Sequence, residues 1–440
     1  FYNLAYDAEV ILKLLDQGPS YMTTEETAPS VEATLRPTPT APPVPAMPPM
    51  PPMPPMPWAL IAASCFATFA ITASGATRTP FLIQMAQDLD VSLGMIANLF
   101  GVTSIAWGSA SFLAGIASDR MGRRPFLVGA PIAVAIAMGL VSRSESFLTL
   151  VIWSTLAGGC CGLYTGVSLA EVAGRVSDRQ RARAIGWVMA GQSITLLIGV
   201  PMASWIGAFV GWRGVNLCVA TLAVIGALAM LATTSSVANR AATKAAMAAA
   251  PPMKLRSVLT GQVLRLLGSV VAERICFGLT AVYYATFMLQ TYDMSLATLA
   301  IPLAIFACGN IFGTLIGGQL GDRFKNRMLT FSLALMASGV VAIFLFGWQD
   351  GVVVSVVLGF AYMFFTALSR PSLTAALANV PGEIRGTVMG LNSTAASFGW
   401  LAAASLGGWL LSTVGFVGFG PLAAVLSVLG ATLALSRRKE

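Results

Sequence analysis

Twelve apolar runs of about twenty residues or more, separated by short polar breaks, fill the chain from residue 58 to residue 436. A helix needs about 20 mainly apolar residues to cross roughly 30 Å of hydrocarbon, and within lipid it must satisfy its own backbone polar groups. Only 10% of the 440 residues are charged and the mean hydropathy is +0.77, whereas soluble domains carry about 25% charged residues. We therefore predict an all-α membrane protein.

The predicted spans are numbered in chain order, and these numbers are kept throughout. Spans 1 to 6 cover residues 58–83, 93–114, 125–142, 147–174, 184–207 and 213–234. Spans 7 to 12 cover residues 261–288, 295–317, 328–347, 352–378, 386–411 and 416–436. The longest break separates six spans from six. It predicts an N-terminal bundle (58–234), a cytoplasmic linker (235–260) and a C-terminal bundle that ends in a short basic tail (261–440).

The first 57 residues differ in composition from the rest of the chain. Twelve prolines between Pro37 and Pro57 forbid a helix and favour an extended polyproline spacer. Residues 4–16 have the pattern of one short amphipathic helix, with a disordered tail as the alternative. We predict a disordered, proline-rich cytoplasmic tail, and no charged leader with a cleavage site precedes span 1.

Residue types exclude several classes of function. The chain has no histidine, so a histidine-based catalytic centre or proton relay is ruled out. The six cysteines lie inside apolar runs without the spacing of a zinc site or a disulfide framework. The net charge of +8 comes from basic residues between the spans and therefore indicates orientation, not a nucleic-acid partner. We expect no metal, no cofactor and no enzymatic activity.

Basic residues gather in the breaks after even-numbered spans. These breaks and the chain end hold Arg120, Arg123, Arg124, Arg175, Arg179, Arg181, Arg183, Arg240, Lys244, Lys254, Arg256, Arg323, Lys325, Arg327, Arg385, Arg437, Arg438 and Lys439. The opposite side holds only Arg78, Arg143 and Arg213. The positive-inside bias places both termini in the cytoplasm. Short loops, and an N-x-S/T sequon at Asn392 on the cytoplasmic side, favour a bacterial inner membrane.

An internal repeat relates the two halves. The break after span 2 reads "GIASDRMGRRP" and the break after span 8 reads "GGQLGDRFKNR", which sets Asp119 and Asp322 203 residues apart. "RARAIG" after span 4 answers "RGTVMG" after span 10, and their arginines, Arg181 and Arg385, are 204 residues apart. Two matches at nearly one offset indicate duplicated six-helix halves.

At the first of these breaks the chain resembles the major facilitator superfamily, whose signature there is G-x-x-x-D-R-x-G-R-R. Every position is matched, by Gly115, Asp119, Arg120, Gly122, Arg123 and Arg124. The second copy keeps Gly318, Asp322, Arg323 and Arg327, but Lys325 replaces its later glycine. The resemblance covers residues 58–436 and implies two pseudo-symmetric bundles that rock about a central cavity lined by spans 1, 4, 7 and 10. It assigns these residues to a conformational motif.

Within the superfamily the chain is similar to the twelve-helix drug and sugar efflux branch. The span 5 antiporter motif of that branch, G-x8-G-x3-G-P-x2-G-G, is matched in part by Gly186 and Gly199, with Pro201 displaced by one residue. Span 11 shows a related helix-packing series in Gly390, Gly399, Gly407 and Gly408. Two departures weaken the usual route of proton coupling. Ser154 stands where the branch has an arginine in span 4, and residues 58–83 hold no Asp or Glu.

Charged residues inside the spans are the candidate site. A charge at the centre of a membrane helix costs about 2.5 to 3.5 kcal/mol on insertion scales and marks function by default. Span 7 carries Glu273 and Arg274, and span 10 carries Arg370. Helical spacing adds further substrate or proton candidates on cavity spans: Phe277, Thr280, Tyr284, Met363, Thr366 and Tyr164. A static Glu273–arginine pair that only joins the helices is the structural alternative, and Arg274 has an equal claim to such a role.

These features predict a monomeric secondary transporter in the lipid bilayer that exports a small organic compound in exchange for protons carried by Glu273. Uptake or facilitated diffusion on the same fold is the nearest alternative. A non-transporting membrane sensor is a second alternative, for which the proline-rich tail is the hint. A membrane enzyme would need a nucleophile or a metal cluster at membrane depth, which the sequence does not offer.

Overall fold

The computed structural model describes residues 56–176, 178–234, 260–324, 326–379 and 382–436. Side chains are described throughout these ranges except at 112, 115, 116, 119, 120, 178, 179, 181, 182, 321, 322, 378, 382–387 and 389. Residues 1–55 and the linker 235–259 lie outside the described residues. The side chains of Asp119, Arg120 and Asp322, and the space around Gly115, also lie outside them.

Helices account for every span in the described residues. Spans 1 to 4 are Trp58–Ala76 (continued by Thr79–Phe81 and Leu82–Asp88), Leu93–Met121, Arg124–Ser142 and Phe147–Gly174. Spans 5 and 6 are Asp178–Ile194, Thr195–Gly199 and Val200–Thr233. Spans 7 to 12 are Gly261–Tyr292, Leu296–Arg323, Arg327–Gly347, Val352–Ala378, Gly382–Thr413 and Phe419–Leu435.

Eleven segments of the described chain are long and apolar enough to cross a membrane. One of them, Arg183–Thr233, has 51 residues and would extend about 77 Å as a single helix, more than twice the hydrocarbon thickness. It is broken at Gly211, whose φ of 67° and ψ of 177° are not helical. This break divides it into spans 5 and 6, which is consistent with the twelve spans read from the sequence.

Helix pairing repeats between the halves. In the first half, span 2 packs on span 4, span 3 on spans 4 and 6, and span 1 on spans 5 and 6. In the second half, span 8 packs on span 10, span 9 on spans 10 and 12, and span 7 on spans 11 and 12. Each pair recurs six spans later. This recurrence supports the two-bundle division proposed from the sequence.

Glycines spaced four apart hold the corresponding pairs together. A β-carbon on Gly158 or Gly162 of span 4 would lie 2.7 Å or 2.2 Å from a carbonyl oxygen of span 2. On span 8, a β-carbon on Gly309, Gly313 or Gly317 would lie 2.5, 2.2 or 2.3 Å from a carbonyl oxygen of span 10. Small residues at this spacing let membrane helices pack backbone to backbone. These pairs are therefore rigid elements of each half.

The loops after odd-numbered spans lie at one end of the helices, here called the odd-loop end, and the even-loop end is opposite. Near the odd-loop end the halves touch, because a β-carbon on Gly94 of span 2 would lie 3.4 Å from Cα of Gly408 on span 11. One turn deeper, Ser405 Oγ lies 3.0 Å from Asn98 Oδ1. Ser204 of span 5 donates a hydrogen bond to the carbonyl of Leu296 at the start of span 8. The odd-loop end is therefore closed.

The predicted helix-packing glycines divide into two groups. A β-carbon on Gly407 would lie within 3.0 Å of the Tyr283 ring, one on Gly408 within 3.0 Å of Gly94, and one on Gly199 at 3.2 Å from the Phe69 ring. Two others make no such contact: among the described residues, a β-carbon on Gly186 or on Gly390 meets nothing within 4 Å. The helix-packing role of these two glycines stays a prediction.

The displaced proline of span 5 has a local explanation. Residues Thr195–Gly199 form a single π-helical turn that ends two residues before Pro201. A π turn adds one residue to a helix, and proline has no N–H to donate to the preceding turn. Thr195 Oγ1 also donates to the carbonyl of Phe69 on span 1. The turn therefore accommodates Pro201 while keeping span 5 tied to span 1.

Candidate functional site

Glu273 lies at the centre of the charged cluster. It occupies the middle of span 7, the span with the largest buried share, and its side chain is 2% exposed. Oε1 accepts hydrogen bonds from Nε (3.2 Å) and Nη2 (3.1 Å) of Arg370 on span 10. The sequence-predicted carboxylate and guanidinium are therefore in direct contact across two helices.

An aromatic pair supports Arg370. Its guanidinium carbon lies 4.5 Å from the ring centroid of Phe277 on span 7, a distance typical of a cation–π interaction. The other side of the site is formed by Trp400 of span 11, which packs edge-on against Phe277 with 5.5 Å between ring centroids. The side chain of Arg370 is 21% exposed, so the surrounding helices do not enclose this part of the cluster completely.

Arg274 joins the cluster from the next position on span 7. Its Nε lies 3.4 Å from Oε2 of Glu273 but makes no hydrogen bond there. Its guanidinium carbon is 6.0 Å from the Phe277 ring. The cluster thus has one carboxylate and two guanidinium groups and carries one excess positive charge.

The other predicted substrate residues are not part of the cluster. The hydroxyls of Thr280 and Thr366 donate to carbonyls of their own helices. Tyr284 stacks on Phe306 of span 8 with 4.5 Å between centroids, and Met363 is 2% exposed. Tyr164 is fully buried and donates to the carbonyl of Ser64 on span 1. We correct these assignments, because all five side chains lie in packed interior where helical spacing alone had placed them on a cavity.

The conformational motif is described only in part. Gly122 ends span 2 with φ 84° and ψ 159°, a conformation nearly confined to glycine. Arg123 donates to the carbonyl of Ala170 and lies 3.4 Å from Glu171 of span 4, which also pairs with Arg175. This ion-pair cluster links the span 2 loop to span 4.

The remaining members of the motif show no common site. Arg124 Nε is buried without a hydrogen-bond partner, and Arg323 is exposed. Arg327 begins span 9. Among the described residues, a β-carbon on Gly318 meets nothing within 4 Å, so this glycine makes no close helix contact. In the described residues no cluster of three or more Cys, Asp or Glu side chains has the spacing of a metal site.

The structure corrects the position of one cation. The charge pattern predicts Arg78 to be a loop charge of the odd-loop side, but it is 3% exposed and lies ten residues before the end of the membrane segment Trp58–Asp88. Its position within the predicted span 1, which has no acidic residue, is the signal that the sequence offers. Arg78 is therefore a charge inside the bundle.

Comparisons with known proteins agree with this architecture. The family model of the Major Facilitator Superfamily matches residues 64–376 and again residues 266–440. The transcription regulatory protein OpdE of Pseudomonas aeruginosa is 24% identical over 304 residues, which cover 68% of this chain and 74% of that protein. The chloramphenicol resistance protein of Streptomyces lividans is 26% identical over 259 residues, 58% of this chain and 64% of that protein.

A solved structure has the same fold. The crystal structure of a D-xylose–proton symporter aligns with a TM-score of 0.71 and 15% identity, covering 87% of this chain and 98% of that one. At this identity the likeness concerns the fold alone. The family match extends over both halves of the membrane region and confirms the resemblance read from the sequence. The chain belongs to the Major Facilitator Superfamily of membrane transporters.

Proposed function

We propose that this protein is a proton-coupled exporter of a small organic compound and that Glu273 carries the proton. The observation that supports this role most directly is the contact of Glu273 with Arg370 across spans 7 and 10. A buried ion pair repays its desolvation poorly. An ionisable group inside a membrane bundle is therefore better explained by use in proton or substrate movement than by stability.

The coupling would follow from charge balance. When Glu273 is ionised, it holds both Arg370 and Arg274. A proton that binds the carboxylate, or a hydrogen-bond donor of the substrate that contacts it, would take the place of Arg370. Proton binding and substrate binding would thereby compete for the same carboxylate. Such competition is the physical basis of exchange, because each ligand favours release of the other.

The conformational part of the cycle would use the contacts between the halves. Spans 2 and 11, and spans 5 and 8, hold the odd-loop end closed. If the positive-inside bias gives the orientation, this end faces away from the cytoplasm and the present state is closed on that side. Rocking of the two rigid halves would open the odd-loop end and close the even-loop end. We place the protein in a bacterial inner membrane, as a monomer with both termini in the cytoplasm.

The export direction rests on relatives. One is named a chloramphenicol resistance protein, and the glycine series of spans 5 and 11 resembles the efflux branch. Uptake on the same fold remains the nearest alternative, since the structural match is to a sugar–proton symporter.

The test is transport by the full chain in proteoliposomes. Compounds that raise the melting temperature of the purified protein, with chloramphenicol as the first probe, are assayed for flux driven by an imposed pH gradient. The wild type is expected to move the compound against its own gradient and to move protons the opposite way. Glu273→Gln should lose the dependence on the pH gradient while retaining downhill exchange. Glu145→Gln, on an exposed loop, serves as the matched carboxylate control. If Glu273→Gln transports with an unchanged dependence on pH, Glu273 does not carry the coupled proton.

A second candidate function is sensing without transport. A relative that covers 68% of this chain is named a transcription regulatory protein, and the proline-rich residues 1–57 form a segment suited to a partner. Deleting these residues separates the two functions. A transporter should keep its full flux without them, whereas loss of a cellular response with no measurable flux in either form favours the sensor.

A further inference from the structure

Arg78 is a buried guanidinium that the proposed proton site does not use. It follows the end of the first helix of span 1 and precedes the short turn Thr79–Phe81. Only 3% of its surface is exposed. Arginine stays protonated in proteins, so this side chain brings a full positive charge into the bundle.

The described residues offer Arg78 no partner. Its Nε and Nη1 atoms are sealed from solvent and make no hydrogen bond. No carboxylate of the described side chains lies within the 4.0 Å distance of an ion pair from it, whereas Arg274 and Arg370 both lie within that distance of Glu273. A buried cation without a partner is strongly unfavourable. A bound anion would supply the counter-charge that the described residues lack.

Arg78 lies where three cavity helices meet. Span 1 packs on span 4, and the turn that follows Arg78 packs on span 7 of the other half. Ser74 Oγ is 3.4 Å from the sulfur of Cys161 on span 4. Because these helices are antiparallel, one further turn toward the odd-loop end brings Arg78 to the depth of Ala157, one turn from Cys161 on span 4.

Charge at the centre of the bundle is unbalanced. Away from their ends, spans 1, 7 and 10 hold three arginines, Arg78, Arg274 and Arg370, and one carboxylate, Glu273. Two positive charges therefore lack a counter-charge. We propose that Arg78 binds the carboxylate of an organic anion that is the substrate of this transporter. This inference rests on the proposed transport function and names the chemical class of its substrate.

The contact beside Arg78 explains how an anion would reach it. The turn Thr79–Phe81 touches span 7, so this contact joins the two halves near the closed odd-loop end. Arg78 precedes this turn and so lies on its even-loop side, where an anion that enters from the even-loop end would meet the guanidinium before the closed contact. Separation of the halves at the odd-loop end would then release the anion on the opposite side, as export requires. A guanidinium matches a carboxylate in shape as well as in charge.

Binding to purified full-length protein tests the inference without a proton gradient. A panel of aromatic and aliphatic monocarboxylates, including benzoate and hexanoate, is compared with the matching neutral amides by thermal shift. Some acids should raise the melting temperature while their amides do not. In Arg78→Gln the concentration of acid needed for half the effect should rise at least tenfold, and Arg78→Lys should be intermediate. Without any ligand, Arg78→Gln should melt at the same or a higher temperature than the wild type, because it removes an unpaired charge.

Three results would overturn the assignment: no acid outperforms its amide, Arg78→Gln keeps the difference, or Arg78→Gln alone melts well below the wild type, which would reveal a structural partner. None of these depends on Glu273. If the wild type binds carboxylates but its transport is not coupled to protons, only the proposed mechanism is refuted. If its transport is coupled to protons but it binds no carboxylate, only the anion site is refuted.

Discussion

Gly399 of span 11 lies directly against Arg274 of span 7. A β-carbon built on Gly399 would come within 2.4 Å of Cβ of Arg274 and 3.1 Å of the carbonyl oxygen of Val271. Backbone atoms near the obstruction cannot move aside as the end of a flexible side chain can. The glycine therefore fixes how closely span 11 approaches the charged cluster, and Arg274 takes its position beside Glu273 because that space is empty.

This relationship predicts that Gly399→Ala disturbs the site. The new methyl group should push span 11 away from span 7, lower the melting temperature by several degrees and reduce transport at least tenfold. Gly139→Ala is the control, since a β-carbon on this span 3 glycine meets nothing within 4 Å. Alanine is the better helix former by about 0.5 to 1 kcal/mol, so the control should be as stable as the wild type or more stable. Equal behaviour of the two variants would contradict the argument.

The sequence predicted the fold because lipid imposes a strong rule. Every span must be about twenty residues long and apolar, so helix positions could be read from hydropathy, and the charge bias separated the two faces. The pairing of Glu273 with Arg370 was also accessible, because each charge needs a partner at membrane depth. Whether Arg274 or Arg370 makes the hydrogen bonds to Glu273 depends on side-chain rotamers and packing, which the spacing of residues in the sequence does not reveal.

Helical spacing failed where burial is two-sided. In the most apolar stretch of span 7, 72% of the residues are buried. A polar residue on one face of this helix therefore need not face water. Thr280 satisfies its hydroxyl on its own helix and Tyr284 is covered by Phe306. Arg78 is the opposite case, because a charge close to a predicted break is expected to be exposed and this one is buried. A polar side chain therefore shows its role only through its partners.

A cross-link should trap the closed odd-loop end. Asn98 of span 2 and Ser405 of span 11 lie 3.0 Å apart at Oδ1 and Oγ. In a background without the six native cysteines, Asn98→Cys with Ser405→Cys should form a disulfide or react with a short thiol cross-linker. Transport should then stop and return on reduction, because the halves can no longer separate at this end.

A second cysteine pair provides the control for that experiment. Ser332 of span 9 donates to the carbonyl of Ala431 on span 12 within one half. Cross-linking Ser332→Cys to Ala431→Cys should leave transport intact, because each half moves as a rigid body. If the protein cross-linked between positions 98 and 405 transports as fast as its reduced form, the two halves do not rock at this contact.

Substitution of Glu273 should cost more stability than substitution of its partner Arg370. Glu273→Gln leaves Arg370 and Arg274 without a counter-charge and should lower the free energy of unfolding by about 3 kcal/mol, the lower end of the range for breaking a buried pair, since both arginines are partly exposed. Arg370→Gln should cost no more than about half of this, because Arg274 still faces the carboxylate. Unfolding by denaturant in detergent measures both. The double variant then gives the coupling energy between Glu273 and Arg370. If the two single variants lose the same free energy of unfolding, Arg274 does not stabilise the carboxylate.

The glycine at the end of span 2 should resist replacement by any residue. At φ 84° and ψ 159°, Gly122 is outside the left-handed helical region that asparagine tolerates and in a region that only glycine enters freely. Gly122→Ala and Gly122→Asn should therefore both lower the free energy of unfolding by about 1 to 3 kcal/mol. A β-carbon there meets nothing within 4 Å, so the cost is backbone strain and not a clash. The variant Gly129→Ala, in the open interior of span 3, gives the reference. If Gly122→Asn is clearly milder than Gly122→Ala, the loop takes the left-handed helical conformation and the geometry between span 2 and Arg123 must be revised.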